Sequence, residues 1–270
     1  MTSPYAEVIG DPIAHSKSPM IHKFWLAKLG LDGDYRATRV AGEDLATYIA
    51  DRRADPDWRG CNVTIPHKIA VMDHVGDPGG VRSSIGAMNT VLRDRDGILT
   101  GTNTDAGGFY APIGGLPLQG KRVAVIGTGG AAHAVMFALS RAGVGPVTLL
   151  ARNPLKGAAL LARFGLKGSV QALDVVLPPV ALLVQTTQLG MKGQLPLDLD
   201  LSLLPDDAVV YDIVYVPRVT PLLAAAEARG LETVDGLEML IGQAALAFEL
   251  FFGAEPPRDA DDELRRILTA

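Results

Sequence analysis

One cysteine, Cys61, stands in the 270 residues, so an internal disulfide is excluded. No Cys/His spacing of a structural metal site occurs, and no metal is expected. Excess positive charge is also missing: 25 Lys and Arg against 30 Asp and Glu give a net charge of −5. That balance gives no reason to expect nucleic acid or an anionic membrane surface as partner. Long hydrophobic runs are absent too. The most apolar stretch, Met239 to Phe252, carries Gln243 and Glu249 and falls short of a membrane span. The first residues, Met1-Thr2-Ser3-Pro4-Tyr5-Ala6-Glu7, have neither the basic start nor the apolar core of a signal peptide. There is no internal repeat and no low-complexity run. A cytoplasmic protein acting as monomer or homodimer is the expectation.

What is present is a core-forming composition, 48% hydrophobic, in a chain long enough for two modest domains. The most informative stretch is Val123-Ala124-Val125-Ile126-Gly127-Thr128-Gly129-Gly130-Ala131-Ala132. Its apolar start reads as a buried parallel strand, and the run from Ala131 to Leu139 reads as a helix. Strand, glycine turn and helix together form a phosphate cradle. Gly127 permits the turn, Gly129 lets backbone N–H groups approach a pyrophosphate, and Ala132 lets the helix pack on the strand. The helix N-terminus offers orphan N–H groups and the positive end of its dipole. The next strand, Val147 to Leu150, leads into Ala151-Arg152-Asn153-Pro154-Leu155-Lys156, where an NAD-type site would place an acid. Arg152 and Lys156 there suit a 2′-phosphate, which points to NADP. The plain alternative is that both are solvated surface cations.

Before this unit the chain alternates strand and helix. Glu7–Gly10, Tyr35–Val40 and Cys61–Ile65 read as strands, and helices are expected from Ser18, over 43–54, and from Pro66 to about Val75. In the first of these helices Met20, Phe24, Ala27 and Leu31 make the expected apolar stripe, with Ser18 as N-cap. Asp96-Gly97 marks a hairpin between 88–92 and 98–100. After Gly120 strands are expected at 122–126, 147–150, 181–184, 208–212 and 232–234, which make a doubly wound parallel sheet. A helix from Gly236 to Phe252 is expected to return to the first domain, followed by a short amphipathic helix over 259–268. The fold class is therefore α/β. An N-terminal α/β substrate-binding domain spans 1–105 and is completed by helices over 237–270, and a Rossmann-type domain spans 106–236.

Three polar clusters lie in the first domain. Ser16 and Ser18, two residues apart before a helix, can donate paired hydrogen bonds to a carboxylate; Ser18 can equally be a simple cap. Asn62 and Thr64 fall on one side of a strand whose other side carries Val63 and Ile65. Lys68 is expected in the first turn of the following helix, against the dipole. Asn89 sits on the hairpin, and Asp105 follows Asn103-Thr104, where it can cap the next helix.

These clusters meet in a resemblance. Nearly the whole chain resembles the shikimate dehydrogenase family. The matching blocks are Gly10-x-Pro12-Ile13-x-His15-Ser16-x-Ser18-Pro19-x-x-His22, Asn62-Val63-Thr64-x-Pro66-x-Lys68, Gly86-Ala87-x-Asn89-Thr90, Gly101-x-Asn103-Thr104-Asp105 and Gly127-x-Gly129-Gly130-Ala131. Further blocks are Leu189-Gly190-Met191, Asp212-Ile213-Val214-Tyr215-x-Pro217-x-x-Thr220-Pro221-Leu222 and Gly236-Leu237-x-Met239-Leu240-x-x-Gln243-Ala244-Ala245. The resemblance implies reversible NADPH-dependent reduction of 3-dehydroshikimate, a step towards chorismate and the aromatic amino acids. It implies Lys68 as acid/base with Asp105 beside it, and Ser16 and Ser18 with Tyr215 on the substrate carboxylate. Asn62, Thr64, Asn89, Asp105 and Gln243 fall on the ring hydroxyls. Gly127, Thr128, Gly129, Gly130 and Ala131 fall on the pyrophosphate, Arg152 and Lys156 on the 2′-phosphate, and Met191 and Met239 on the nicotinamide. The chain departs from the family pattern at Lys23, Ala151, Asn153, 184–188 and Phe251-Phe252. Two other readings stay open: a quinate-preferring or orphan paralogue acting on another cyclic hydroxy acid, and an inactive NADP-binding regulatory protein. Retention of Lys68, Asp105, Asn89 and Gln243 together argues against the second.

Overall fold

The computed structural model describes residues 3–94 and 96–270. Met1 and Thr2, the start of the segment read above for a signal peptide, and Arg95 in the hairpin turn lie outside the described residues. The chain divides into two compact units, residues 1–105 with 241–270, and residues 106–240.

The first unit is built on a five-stranded sheet of order β2-β1-β3-β4-β5. Its strands are β1 (Tyr5–Gly10), β2 (Asp34–Arg39), β3 (Trp58–Val63), β4 (Thr90–Arg93) and β5 (Leu99–Thr102), with helices α1 (Ser18–Leu29), α2 (Leu45–Ala54) and α3 (Val81–Ser84) between them. β2, β1 and β3 run parallel, whereas β4 is antiparallel to both β3 and β5. The hairpin at Asp96-Gly97 thus turns one edge of an otherwise parallel sheet. Because β1, β3 and β5 share one direction, their carboxyl ends open on one edge, where β4 begins.

Helix α1 buries Ser18, Ile21, His22, Trp25 and Leu26, not the expected stripe; Met20, Ala27 and Leu31 are exposed. Both sets satisfy the helical period. The wider aromatic Trp25 and the ring of His22 decide which one faces the sheet, since aromatic side chains remove the most area from water. Ser18 is the first helical residue rather than the cap; its backbone N–H donates to Ser16 Oγ at 3.3 Å. No helix follows Pro66. The chain makes a turn, closed by His67 N–H to the Thr64 carbonyl, and then a 3₁₀ turn over Ala70–Asp73. The His67 ring is held by the Val40 carbonyl at 2.7 Å, which ties the turn to the end of β2 rather than to a helical ladder.

The second unit carries a six-stranded parallel sheet of order β11-β10-β9-β6-β7-β8. The strands are β6 (Val123–Ile126), β7 (Val147–Leu150), β8 (Gly168–Gln171), β9 (Leu182–Gln185), β10 (Val209–Asp212) and β11 (Glu232–Val234). Helices α4 (Asp105–Tyr110), α5 (Gly130–Arg141), α6 (Pro154–Arg163) and α7 (Pro221–Ala228) accompany them. β8 was not expected from the sequence; Gly168-Ser169-Val170-Gln171 has one apolar residue and is an edge strand with little to bury. The central strands are apolar on both faces, as a doubly covered parallel sheet requires. α8 (Gly236–Phe252) contains the boundary between the units, and α9 (Asp261–Thr269) closes the chain.

Candidate active site

In the first unit every polar cluster falls on the edge where β1, β3 and β5 end. Ser16 and Ser18 follow β1, Lys68 follows β3, Asn89 precedes β4, and Asp105 follows β5. Lys68 Nζ lies 2.5 Å from Asp105 Oδ2, and their side chains are 14% and 5% exposed. Asp105 begins α4, but its carboxylate is turned to side chains: Oδ2 accepts from Lys68 and Oδ1 from Asn89 Nδ2 at 2.9 Å. The pair holds Lys68 Nζ in place as a hydrogen-bond donor on the carboxylate. The Lys68 backbone is fixed as well, because its carbonyl accepts from Met88 N–H at 2.8 Å.

Asn89 is the hub. Its Nδ2 hydrogens serve Asp105, Thr104 Oγ1 at 2.9 Å and Gln243 Oε1 at 3.3 Å, while its Oδ1 accepts from the Thr104 backbone N–H at 2.7 Å and from Thr90 Oγ1 at 3.1 Å. Gln243 of α8 is thereby brought to the Lys68–Asp105 pair. Asn62 joins through Thr90, its Nδ2 donating to Thr90 Oγ1 at 3.1 Å, and its Oδ1 accepts from the Tyr35 hydroxyl at 2.6 Å. Thr64 lies just beyond β3, half-buried against Gly10, where a side chain in place of glycine would stand 2.5 Å from Thr64 Cγ2. Ser16 and Ser18 stay in the loop and first turn of α1, outside the Asn89 network. Thr90, Thr104 and Tyr35 belong to the network but were not singled out as site residues. Thr90 and Thr104 sit inside the motifs that carry Asn89 and Asp105; Tyr35 gave no signal beyond strand alternation.

In the second unit the turn after β6 has Gly127 at φ 109°, a conformation that glycine adopts without cost. A side chain there would also meet Thr186 Oγ1 at 2.6 Å and Thr187 Cγ2 at 2.8 Å. At Gly129 nothing lies within 4 Å of where a side chain would stand, and no side chain caps α5. Open space thus faces uncapped N–H groups, with Thr128, Gly130 and Ala131 half-buried around it. Ile126 pairs with Leu150, so Arg152 emerges on the same edge; Arg152 and Lys156 are exposed, and among the described residues neither has a carboxylate partner. These groups fit a dinucleotide with a 2′-phosphate. Asn153 is already used as the cap of α6, accepting from Lys156 N–H at 3.1 Å.

After β9, the Gln185 amide folds the next residues onto themselves. It accepts from Thr187 N–H and donates to the Leu189 carbonyl, both at 2.9 Å, and Thr186 Oγ1 reaches the Ile126 carbonyl at 2.5 Å. The departure at 184–188 is therefore internally bonded and braces the glycine turn. Met191 and Tyr215 are half-buried near the ends of β9 and β10, and Met239, near the start of α8, is in this unit's apolar core. At the end of β10, burial pushes the Asp212 carboxyl up to about 6 against hydrogen bonds from Val214 N–H and Thr220 Oγ1.

Residues 8–91 match the shikimate dehydrogenase substrate binding domain, and residues 236–263 match the shikimate 5′-dehydrogenase C-terminal domain. A shikimate dehydrogenase (NADP(+)) of Sphingopyxis alaskensis is 68% identical over 268 residues, covering 99% of this chain and 98% of that protein. The chain belongs to the shikimate dehydrogenase family. Among solved structures, the shikimate 5-dehydrogenase of Thermus thermophilus in complex with NADP(H) and shikimate superposes with a TM-score of 0.86 at 38% identity, covering 98% of this chain and 99% of that one. A quinate dehydrogenase of Corynebacterium glutamicum in complex with NAD superposes with a TM-score of 0.86 at 30% identity, covering 98% and 99%. The shikimate dehydrogenase fold, with a mixed five-stranded sheet and a six-stranded parallel sheet, is what the α/β reading of the sequence anticipated.

Proposed function

We propose that this chain is an NADP-dependent shikimate dehydrogenase that reversibly reduces the ring ketone of 3-dehydroshikimate to the alcohol of shikimate. The observation that carries the reading is the close Lys68–Asp105 pair, tied through Asn89 to Gln243. NADPH, when bound, supplies the hydride that reaches the carbonyl carbon. Lys68 Nζ delivers the proton to the carbonyl oxygen and polarises it beforehand. Asp105 orients the Lys68 side chain through the ion pair. In the oxidative direction Lys68 takes the hydroxyl proton. Asn62, Thr64, Asn89 and Gln243 bind the ring hydroxyls, and Ser16, Ser18 and Tyr215 bind the carboxylate.

The cofactor is held by Gly127, Thr128, Gly129, Gly130 and Ala131 at the pyrophosphate and by Arg152 and Lys156 at the 2′-phosphate. Met191 and Met239 border the nicotinamide. Residues 1–105 with 241–270 take the substrate role and 106–240 the NADP role, the boundary within α8 falling four residues beyond the expected 236/237. Among the described residues no helix is long and apolar enough to cross a membrane; we read the protein as a cytoplasmic enzyme acting as monomer or homodimer. Shikimate is preferred over quinate as substrate because the 68% identical relative is a shikimate dehydrogenase, whereas the quinate dehydrogenase is 30% identical. Steady-state kinetics with shikimate and quinate, each against NADP and NAD, test the reading. The highest kcat/KM is expected for shikimate with NADP. Preference for quinate would assign the chain to the other branch of the family, and no turnover with any pair would make it a binding protein.

A further inference from the structure

Tyr35 has no role in the reaction as set out above, yet it is buried completely in the edge strand β2, and its hydroxyl donates to Asn62 Oδ1 at 2.6 Å. From Asn62 the hydrogen bonds run in one direction. Asn62 Nδ2 donates to Thr90 Oγ1 at 3.1 Å, Thr90 Oγ1 to Asn89 Oδ1 at 3.1 Å, and Asn89 Nδ2 to Asp105 Oδ1 at 2.9 Å. Asp105 Oδ2 then faces Lys68 Nζ. Every donor thus points towards the carboxylate, and Tyr35 is where the chain starts. In a low-dielectric interior such chains polarise one another.

Below Tyr35 lies His22. Their rings stack with centroids 3.9 Å apart and planes within 2°. Burial lowers His22 to about 3, and neither ring nitrogen has a hydrogen-bond partner among the described residues. His22 is therefore a neutral slab that sets the plane of the Tyr35 ring. Trp25 and Phe248 pack around His22 with ring centroids at 5.8 Å.

Resting on the reading under Proposed function, we propose that Tyr35 is a positioning residue that fixes the side-chain amide of Asn62 and the direction of the chain ending on Asp105. The two ends of an asparagine amide have nearly the same shape, so only the partners set which end points where. The Tyr35 hydroxyl marks the oxygen end. Without it, Asn62 Oδ1 is buried with no donor among the described residues. A turned amide would present oxygen to Thr90, whose hydroxyl hydrogen would then leave Asn89 Oδ1. The hub beside Asp105 would lose one of the two donors to its carbonyl.

The test is a double-mutant cycle. Tyr35→Phe keeps the ring, the volume and the stack and removes one oxygen. It is expected to lower kcat/KM for shikimate about tenfold, the cost of one buried hydrogen bond, with KM for NADP unchanged. In an Asn62→Ala background the same change is expected to have less than about a twofold further effect, because Tyr35 acts through Asn62. A merely structural role would make the two losses multiply, and that result overturns the proposal, as does a wild-type kcat/KM in Tyr35→Phe. Should Tyr35→Phe fail to fold, Thr90→Val breaks the same chain one link lower and is expected to show the same tenfold loss; wild-type activity there overturns it. Failure of the wild-type protein to turn over shikimate would sink the functional reading instead. The positioning claim is then read from hydrogen exchange of the Asn62 side-chain amide. At least about tenfold faster exchange in Tyr35→Phe supports it, and an unchanged rate rejects it.

Discussion

Lys68 and Asp105 are 37 residues apart in sequence and in contact in space, one held in a turn and the other at the first residue of α4. Lys68 sits in a turn pinned at His67 and Met88, and Asp105 spends its carboxylate on Lys68 and Asn89. At the other cluster, Arg152 is expected to act through charge on one phosphate. Arg152→Ala should weaken NADP binding by roughly 10- to 100-fold, equivalent to losing charged hydrogen bonds of about 1.5–3 kcal/mol, and leave NAD use almost unchanged. Titration calorimetry with both cofactors checks this, and equal losses would contradict the phosphate role. At this scale the residue types were legible because each stands in a motif, but their convergence was not. Spacing alone allowed each of Ser18 and Asp105 to be either a helix cap or a site residue; Ser18 is the first helical residue, and the Asp105 carboxylate bonds Lys68 and Asn89.

At the scale of elements, the strands and the glycine turn were legible because parallel strands buried on both faces read as continuous apolar runs. β8 was missed because an edge strand buries little, and the α1 face was misassigned because Trp25 and His22 outweighed a weaker stripe of equal period. Two buried carboxylates on strands carry opposite pH linkage. Glu7 on β1 is opposed by desolvation, yet Arg52, Thr38 and Tyr48 hydrogen bonds hold it below the usual carboxylate value. Its stabilisation is complete above ~4.3 and is lost as pH falls through the depressed folded value. Asp212 is raised to about 6 by burial. Its contribution is complete below ~3.9 and is lost as pH rises towards 6. Glu7→Gln should therefore cost about 3 kcal/mol at pH 7, lowering Tm by roughly 6–12 °C, and flatten the acid limb of stability. Asp212→Asn should flatten the fall between pH 4 and 6. Urea melts across pH 3–8 separate the two, and parallel curves for both variants and wild type would refute the assignment.

Across the whole molecule, the residues assigned to ring and carboxylate lie mostly on one edge of the five-stranded sheet, and those assigned to NADP on one edge of the six-stranded sheet. The division of labour predicts separable defects: variants at Lys68 should bind NADP normally, and variants at Arg152 should bind shikimate normally. The departures at 184–188 and Phe251-Phe252 change neither edge. Gln185 closes its own loop, and Phe251 packs where Gly60 leaves room, 2.5 Å from the side-chain position that glycine lacks. The proton step by Lys68 is tested by the kcat of Lys68→Ala with shikimate and NADP at saturation. A fall of about 10² to 10⁴-fold with little change in KM is expected. Turnover within about twofold of wild type would contradict it.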